Sequence, residues 1–177
     1  MKEKIKRVLI MLVVTAGLVA VDQAVKEWTV MRLKGQPAIA IWPDVFELTY
    51  VENRGAAFGM LQDQRWLFTV LTSVVILGLI YVYFRLLPEK KFRLTRMCCI
   101  GVLSGAIGNL IDRTVLHYVV DMFYFKLIDF PVFNVADCYV VVCGILFCIV
   151  AVFQKNLLDD IALQLSRKGS ESDGAEL

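Results

Sequence analysis

The sequence predicts an all-α polytopic membrane protein with four transmembrane helices and with its N- and C-termini cytoplasmic. Hydrophobic residues make up 58% of the 177 residues, against roughly 45–50% in soluble domains. They are concentrated in four long apolar stretches, while lysine and arginine are concentrated at the start of the chain and in one connector. The stretches predict the number of spans, and the basic residues predict their orientation.

The predicted spans lie at about residues 8–26, 66–87, 95–113 and 132–154. A helix needs about 20 apolar residues to cross the hydrocarbon core. The second and fourth stretches meet this length directly, whereas the first and third do so only by including polar residues at one end. The first stretch also has the layout of a cleaved signal peptide. Against that interpretation, Asp22 and Lys26 are one helical turn apart, which favours a helix that continues with an internal ion pair.

Basic residues predict the orientation in the membrane. Four of the first seven residues are lysine or arginine, and five more fall within residues 85–96. The connectors after the first and third spans hold basic residues more sparsely and mix them with acidic ones. The positive-inside rule then places both termini and the 85–96 connector in the cytoplasm, and the two longer connectors outside.

The first outer connector is predicted to form a small extracytoplasmic β-sheet at the membrane surface, at about residues 36–60. Residues 46–52 begin with apolar and polar residues in alternation, as in a half-buried strand. Residues 53–55 have turn composition, and residues 56–59 are interpreted as a returning strand. The second outer connector is rich in aromatic residues and is predicted to form a short outer helix or loop before the fourth span.

One membrane-embedded domain is expected over residues 1–165. It ends in an amphipathic extension along the inner surface, and residues 166–177 are predicted to be a polar, disordered tail. The five cysteines lie in or beside apolar runs without a C-x-x-C spacing, which predicts packed thiols rather than a metal site. A net charge of +2 is too small to indicate a nucleic-acid partner.

Polar residues from every outward half of the chain map to one layer near the outer membrane boundary. Ionisable groups at membrane depth are costly and usually functional. In the third span, Gly101, Gly105 and Gly108 share a helical face with Asp112, so a neighbouring helix can approach closely. The layer comprises Asp22, Asn53, Asn109, Asp112, Arg113, Asp121, Asn134 and Asp137.

Asp121 and Asp137 are the candidate catalytic pair. Both are flanked by apolar residues, and Asp137 is expected about one and a half turns inside a helix that begins near Pro131. Two carboxylates in a shared apolar site tend to share one proton. One can then activate water while the other protonates the leaving group or polarises the carbonyl, as in aspartic proteases. Such a dyad titrates as a unit, so the sequence assigns no separate roles.

Other catalytic constellations are weaker. His117 is the only histidine, which excludes a histidine-based metal cluster. A Cys138–His117 dyad is conceivable, although Cys138 is interpreted as a packing residue. Ser73 and Ser104 lie in apolar helices without a base beside them. Ion transport is the rival function, but transporters typically have broken, repeated spans near the midplane, and the acids here lie at one edge.

Five short blocks occur in order along the predicted spans and connectors. They are Asp22-Gln23 with Lys26, Asn53-Arg-Gly-Ala-Ala-Phe58, Gly105-Ala-Ile-Gly-Asn-Leu-Ile-Asp-Arg113, Val120-Asp121 and Phe133-Asn-Val-Ala-Asp137. Through these blocks the membrane body resembles the bacterial lipoprotein signal peptidases, also called type II signal peptidases. The chain departs from the family pattern at Ser104, Met122 and Cys138, where glycine, phenylalanine and serine are common, and these changes do not put the activity in doubt.

The resemblance implies a membrane aspartic endopeptidase without metal or cofactor, in the bacterial cytoplasmic (inner) membrane, with its active site near the extracytoplasmic face. It would act as a monomer among membrane lipids and cut the signal peptide from a prolipoprotein, just before the diacylglyceryl-modified cysteine. The family's catalytic aspartates correspond to Asp121 and Asp137. By the same resemblance, the residues that bind substrate or shape the site are Asn53, Gly55, Asn109, Arg113 and Asn134, and those that keep its architecture are Asp22, Lys26 and Asp112.

Overall fold

Four apolar helices and three short strands make up the computed structural model, which describes residues 2–55, 65–85 and 92–153. The elements are α1 (Lys2–Leu33), β1 (Ile39–Trp42), β2 (Phe46–Asn53), α2 (Arg65–Arg85), α3 (Arg93–Val115), β3 (Val119–Tyr124) and α4 (Val135–Phe153). A 3-10 turn at Lys126–Ile128 precedes α4. Each helix is long and apolar enough to cross a membrane. The prediction of four apolar helices with a small sheet is therefore confirmed.

The helix α3 lies at the centre of the bundle. Over an apolar stretch of 18 residues, 61% of the residues of α3 are buried. The corresponding shares in α1, α2 and α4 are 11%, 6% and 11%. The three outer helices thus present apolar side chains outwards, as helices surrounded by lipid do. At the end of the bundle that holds the start of α1, the Tyr83 hydroxyl donates to the carbonyl oxygen of Arg7 at 3.0 Å. An apolar cluster that includes Tyr83 and Phe92 packs at this end.

Glycines on α3 allow α1 and α4 to approach its backbone. A Cβ atom at Gly105 would overlap the carbonyl oxygen of Ala136 on α4. A Cβ atom at Gly108 would lie 2.5 Å from Oδ2 of Asp22 on α1. The predicted small-residue face of α3 is therefore confirmed, and it brings the polar ends of three helices together.

The sheet is antiparallel in the order β1-β2-β3. The central strand β2 begins at Phe46, as predicted, but all eight of its residues are half-buried, so neither face is fully exposed. The strand β3 was not predicted, because apolar residues lie on both of its faces and its first four residues are buried. It pairs with β2, and Asp121 lies opposite Val51.

The predicted start of the fourth span was wrong. Phe133 pairs with Phe123 of β3 in extended conformation, so α4 begins only at Val135. Asp137 consequently lies in the first turn of α4 rather than one and a half turns inside it. At the other end of the chain, α1 continues beyond residue 26 to Leu33, which is 2% exposed.

Three predicted segments lie outside the described residues. They are the returning strand at residues 56–59, the amphipathic extension that ends at residue 165 and the tail at residues 166–177.

Candidate active site

Reciprocal hydrogen bonds with Asn134 hold Asp137 at the start of α4. Oδ1 of Asn134 accepts from the Asp137 N–H at 3.0 Å, and Oδ2 of Asp137 accepts from the Asn134 N–H at 3.1 Å. This is the capping-box arrangement, in which the N-cap and the third helical residue satisfy each other's backbone donors. The Asp137 carboxylate therefore lies at the positive end of the helix dipole, where negative charge is favoured.

Asp121 lies on β3 and is only 1% exposed. Its Oδ2 accepts from Nδ2 of Asn53 at 2.8 Å, and its Oδ1 accepts from Nδ2 of Asn134 at 2.6 Å. The Asn53 side chain is oriented in turn by the buried Gly55, whose N–H donates to Oδ1 of Asn53 at 3.0 Å, as in an Asx turn. The predicted turn at residues 53–55 thereby directs an amide donor at Asp121.

The two carboxylates share one site because Asn134 donates a hydrogen bond to each. The pKa of Asp121 is raised from 3.8 to about 7, mainly by burial and then by the nearby Asp137 carboxylate. The hydrogen bonds from Asn53 and Asn134 act in the opposite direction, since they stabilise the ionised form. Asp121 therefore loses its proton only around neutral pH, well above the pH at which an exposed aspartic acid does.

Asn109 connects this pair to α1. Its Nδ2 donates to Oδ1 of Asp137 at 2.8 Å. Its Oδ1 accepts from Nζ of Lys26 at 2.9 Å and from Nδ2 of Asn134 at 3.1 Å. Because an ammonium group can only donate, it fixes which end of the Asn109 amide faces Asp137.

Lys26 lies between two buried acids. Its Nζ is 3.0 Å from Oδ2 of Asp22 and 3.0 Å from Oδ2 of Asp112. The Asp22–Lys26 ion pair confirms the prediction from their spacing, whereas the partnership with Asp112 is a tertiary contact that was not predicted. Gln23 was also missed as a site residue, although it belongs to the first sequence block. Its Nε2 donates to Oδ1 of Asp112 at 2.9 Å.

Arg113 is half-buried beside the two carboxylates, close enough for the charges of Asp121 and Asp137 to act on it. Its guanidinium carbon lies 5.4 Å from the centre of the Phe68 ring on α2. Sequence reasoning missed Phe68, which carries no polar signal. Hydrogen bonds and ion pairs link all the other predicted site residues into one network.

The alternative nucleophiles are placed differently. His117 is exposed at the turn after α3, Cys138 is half-buried on α4, and no hydrogen bond between them occurs within the described residues. The hydroxyls of Ser73 and Ser104 each donate at 2.7 Å to a carbonyl oxygen one turn earlier in their own helices. Their protons are therefore already engaged by the backbone.

Fold and site together define a polytopic membrane protein with a paired-carboxylate centre. The profile of a family described as signal peptidase (SPase) II matches residues 14–153 of the chain. The chain is 43% identical over 136 residues to a lipoprotein signal peptidase of Clostridioides difficile (strain 630), covering 77% of this chain and 90% of that protein. It is 42% identical over 140 residues to a lipoprotein signal peptidase of Streptococcus thermophilus (strain CNRZ 1066), covering 79% and 90%.

Solved structures are similar too. Two bacterial membrane enzymes, determined by the in meso method at 1.9 Å and 2.3 Å, superpose with TM-scores of 0.70 and 0.68. The first is 26% identical to this chain, and the alignment covers 82% of this chain and 93% of that enzyme. The second is 25% identical, and the alignment covers 82% and 88%. The chain belongs to the signal peptidase II family, as the sequence blocks predicted. It is thus a multi-pass protease of the bacterial inner membrane.

Proposed function

We propose that this protein removes signal peptides from prolipoproteins by cutting just before the diacylglyceryl-modified cysteine, with Asp121 and Asp137 as its catalytic dyad. The observation that carries the proposal is that Asn134 donates hydrogen bonds to both carboxylates, one of them almost fully buried. The names of the relatives, which are lipoprotein signal peptidases, support the substrate class.

The proposed chemistry uses one proton shared by the dyad. Asp121 starts with the proton, because burial raises the pKa of its carboxyl to about 7. Asp137 starts as the carboxylate, at the positive end of the α4 dipole. Asp137 takes a proton from water as the water oxygen attacks the scissile carbonyl carbon, and Asp121 gives its proton to the carbonyl oxygen. As the tetrahedral intermediate collapses, the C–N bond breaks and the leaving nitrogen takes the proton held by Asp137, while Asp121 takes a proton back from a hydroxyl of the intermediate. The product carboxyl group and an amine leave, and the dyad again holds one proton.

Substrate binding is assigned to the polar groups that border the dyad. Arg113 presents a guanidinium group, which has planar donors suited to the carbonyl oxygens of an extended peptide. Asn53 and Gly55 line the same site from the sheet side. Because all these groups belong to one chain, we expect a monomer to be active.

The proposed topology places both termini in the cytoplasm and the dyad near the extracytoplasmic face. The basic residues at the start of the chain and within residues 85–96 support it. The sheet would then lie at the outer membrane surface and cradle the substrate's lipid and peptide. Ile41 and Trp42 of the edge strand are 59% and 64% exposed, and exposed tryptophan is typical of a membrane interface.

Cleavage of a diacylglyceryl-modified prolipoprotein by the purified protein in detergent tests the proposal. With a chelator present, mass spectrometry of the products should locate the cut immediately before the lipidated cysteine. The same prolipoprotein without the lipid is the control and should be cut far more slowly. No cleavage of the lipidated substrate would contradict the proposed function, and ion flux in vesicles would then be measured.

The pH dependence of cleavage is a second prediction. Since the dyad needs one proton, kcat/KM should fall above about pH 7, where Asp121 loses its proton. Asn53→Leu should move this fall to higher pH, because it removes a hydrogen bond that lowers the pKa of Asp121. Steady-state rates between about pH 5 and pH 9 test both points, and a flat profile in this range would contradict the loss of an essential proton from Asp121 near pH 7.

Protein stability should depend on pH through the same group. The pKa of Asp121 is higher in the folded protein than in the unfolded chain, so the folded state binds more protons between about pH 4 and pH 7. The contribution of Asp121 to the free energy of unfolding is therefore greatest below this window and declines as the pH rises through it. Asp121→Asn should remove that part of the pH dependence.

A further inference from the structure

Asp22, a buried residue of α1, makes a hydrogen bond with the backbone of the residue before Asp137. Oδ1 of Asp22 accepts from the backbone N–H of Ala136 at 2.9 Å. Ala136 is the second residue of α4, so its N–H has no partner within the helix. Asp22 is 0% exposed and packs directly against Gly108. The start of α4, and with it Asp137, is thereby attached to α1.

The residue before Asp121 is held in the same way by a second acid. Oδ2 of Asp112 accepts from the backbone N–H of Val120 on β3 at 3.1 Å. The backbone carbonyl of Asp112 also accepts from the N–H groups of Leu116 and His117, at 2.8 and 3.2 Å. Asp112 therefore fixes the short connection from α3 to β3, which sets the position of Asp121.

Lys26 links Asp22 and Asp112 to each other and, through Asn109, to the dyad. It bridges Asp22 and Asp112, and it also donates to Asn109, whose amide donates to Asp137. Its side chain is 4% exposed, and those of the two acids are 0% and 2% exposed. Replacing a buried ion pair by apolar residues often leaves a protein as stable or makes it more stable, so stability alone is a weak reason for such a group.

We propose that Asp22, Lys26 and Asp112 are positioning residues that set the separation and orientation of the two dyad carboxylates. Each acid accepts a hydrogen bond from the backbone N–H of the residue before one dyad aspartate. Lys26 keeps the two acids together and fixes the direction of the Asn109 amide. This inference rests on the proposed function of the dyad and assigns the triad a role in the chemical step beyond support of the fold.

Lys26→Met tests the proposal, since methionine has a similar length and no charge. We expect kcat to fall on the order of 10²-fold, as small displacements of reacting groups produce, with KM little changed. The fall of kcat/KM at alkaline pH should also move upwards, because the Lys26 charge lowers the pKa of Asp121. Arg32→Met, which removes a cation at an exposed position of α1, is the matched control and should change neither quantity.

A double variant separates positioning from folding. Lys26→Met with Asp112→Asn removes one positive and one negative charge, so the net charge of the buried group is unchanged, and the asparagine oxygen can still accept from Val120. We expect this variant to unfold near the wild-type temperature in detergent while keeping the low kcat.

Two outcomes would overturn the proposal. One is a folded variant with wild-type kcat and an unshifted pH profile. The other is failure of both variants to fold, which would make the triad a requirement for folding only. Failure of the proposed function is distinguishable, because it would appear as inactivity of the wild-type protein in the same assay.

Discussion

Asp137→Asn and Asp121→Asn are each expected to lower kcat/KM by about 10³-fold or more. General acid–base catalysis contributes on the order of 10²–10⁴-fold, and a 10³-fold loss corresponds to about 4 kcal/mol of activation free energy. Each amide keeps the shape of the carboxylate but can neither take a proton from water nor give one to the carbonyl oxygen. Cleavage rates of the lipidated prolipoprotein, measured for both variants and the wild type, test this expectation.

Both variants should remain folded. Asparagine is neutral, so it removes the buried charge of Asp137 and replaces the protonated Asp121 carboxyl by a neutral group of the same shape. Its oxygen can still accept one of the hydrogen bonds made by Asn53 or Asn134. Asp44→Asn is the matched control, because the Asp44 side chain is 90% exposed in the turn between β1 and β2. Near-normal cleavage by a folded Asp121 or Asp137 variant would show that this aspartate is structural and that the dyad is wrongly assigned.

Gly105→Ala is expected to destabilise the protein by about 2 kcal/mol and to lower its activity. Its Cβ atom would overlap the carbonyl oxygen of Ala136, and backbone cannot rotate away as a side chain can. Overpacking typically costs about 1–3 kcal/mol, and a clash with backbone belongs at or above the upper end. The higher helix propensity of alanine offsets about 1 kcal/mol. Activity should fall as well, because Ala136 immediately precedes Asp137.

The loss of stability in Gly105→Ala is measured by thermal unfolding in detergent. Gly144→Ala on α4 is the control, since a Cβ atom there meets nothing within 4 Å. It should unfold at or slightly above the wild-type temperature, because only the propensity gain remains. Equal unfolding temperatures for Gly105→Ala and Gly144→Ala would mean that α3 and α4 are not packed as closely as described.

Local features of the candidate site were predictable where neighbours in sequence interact. The Asp22–Lys26 ion pair follows from a four-residue spacing, and the turn that orients Asn53 follows from its composition. The capping box of Asn134 and Asp137 has the same local character, but it was missed because the fourth span was expected to begin near Pro131. That error arose because the apolar run includes residues 132 and 133, which pair with β3 instead of joining the helix.

By itself, the sequence determined the number of apolar helices, the order of the polar blocks along them and the choice of the two aspartates. These features depend on the type of each residue and on spacings of a few residues. Residue types determine how hydrophobic a segment is, and short spacings determine which residues share a helical face. Only the tertiary structure decided that β3 carries Asp121, that Asn134 joins the two carboxylates and that Lys26 bridges Asp22 and Asp112. Contacts between residues far apart in sequence depend on how closely the helices pack, and here the glycine face of α3 sets that distance.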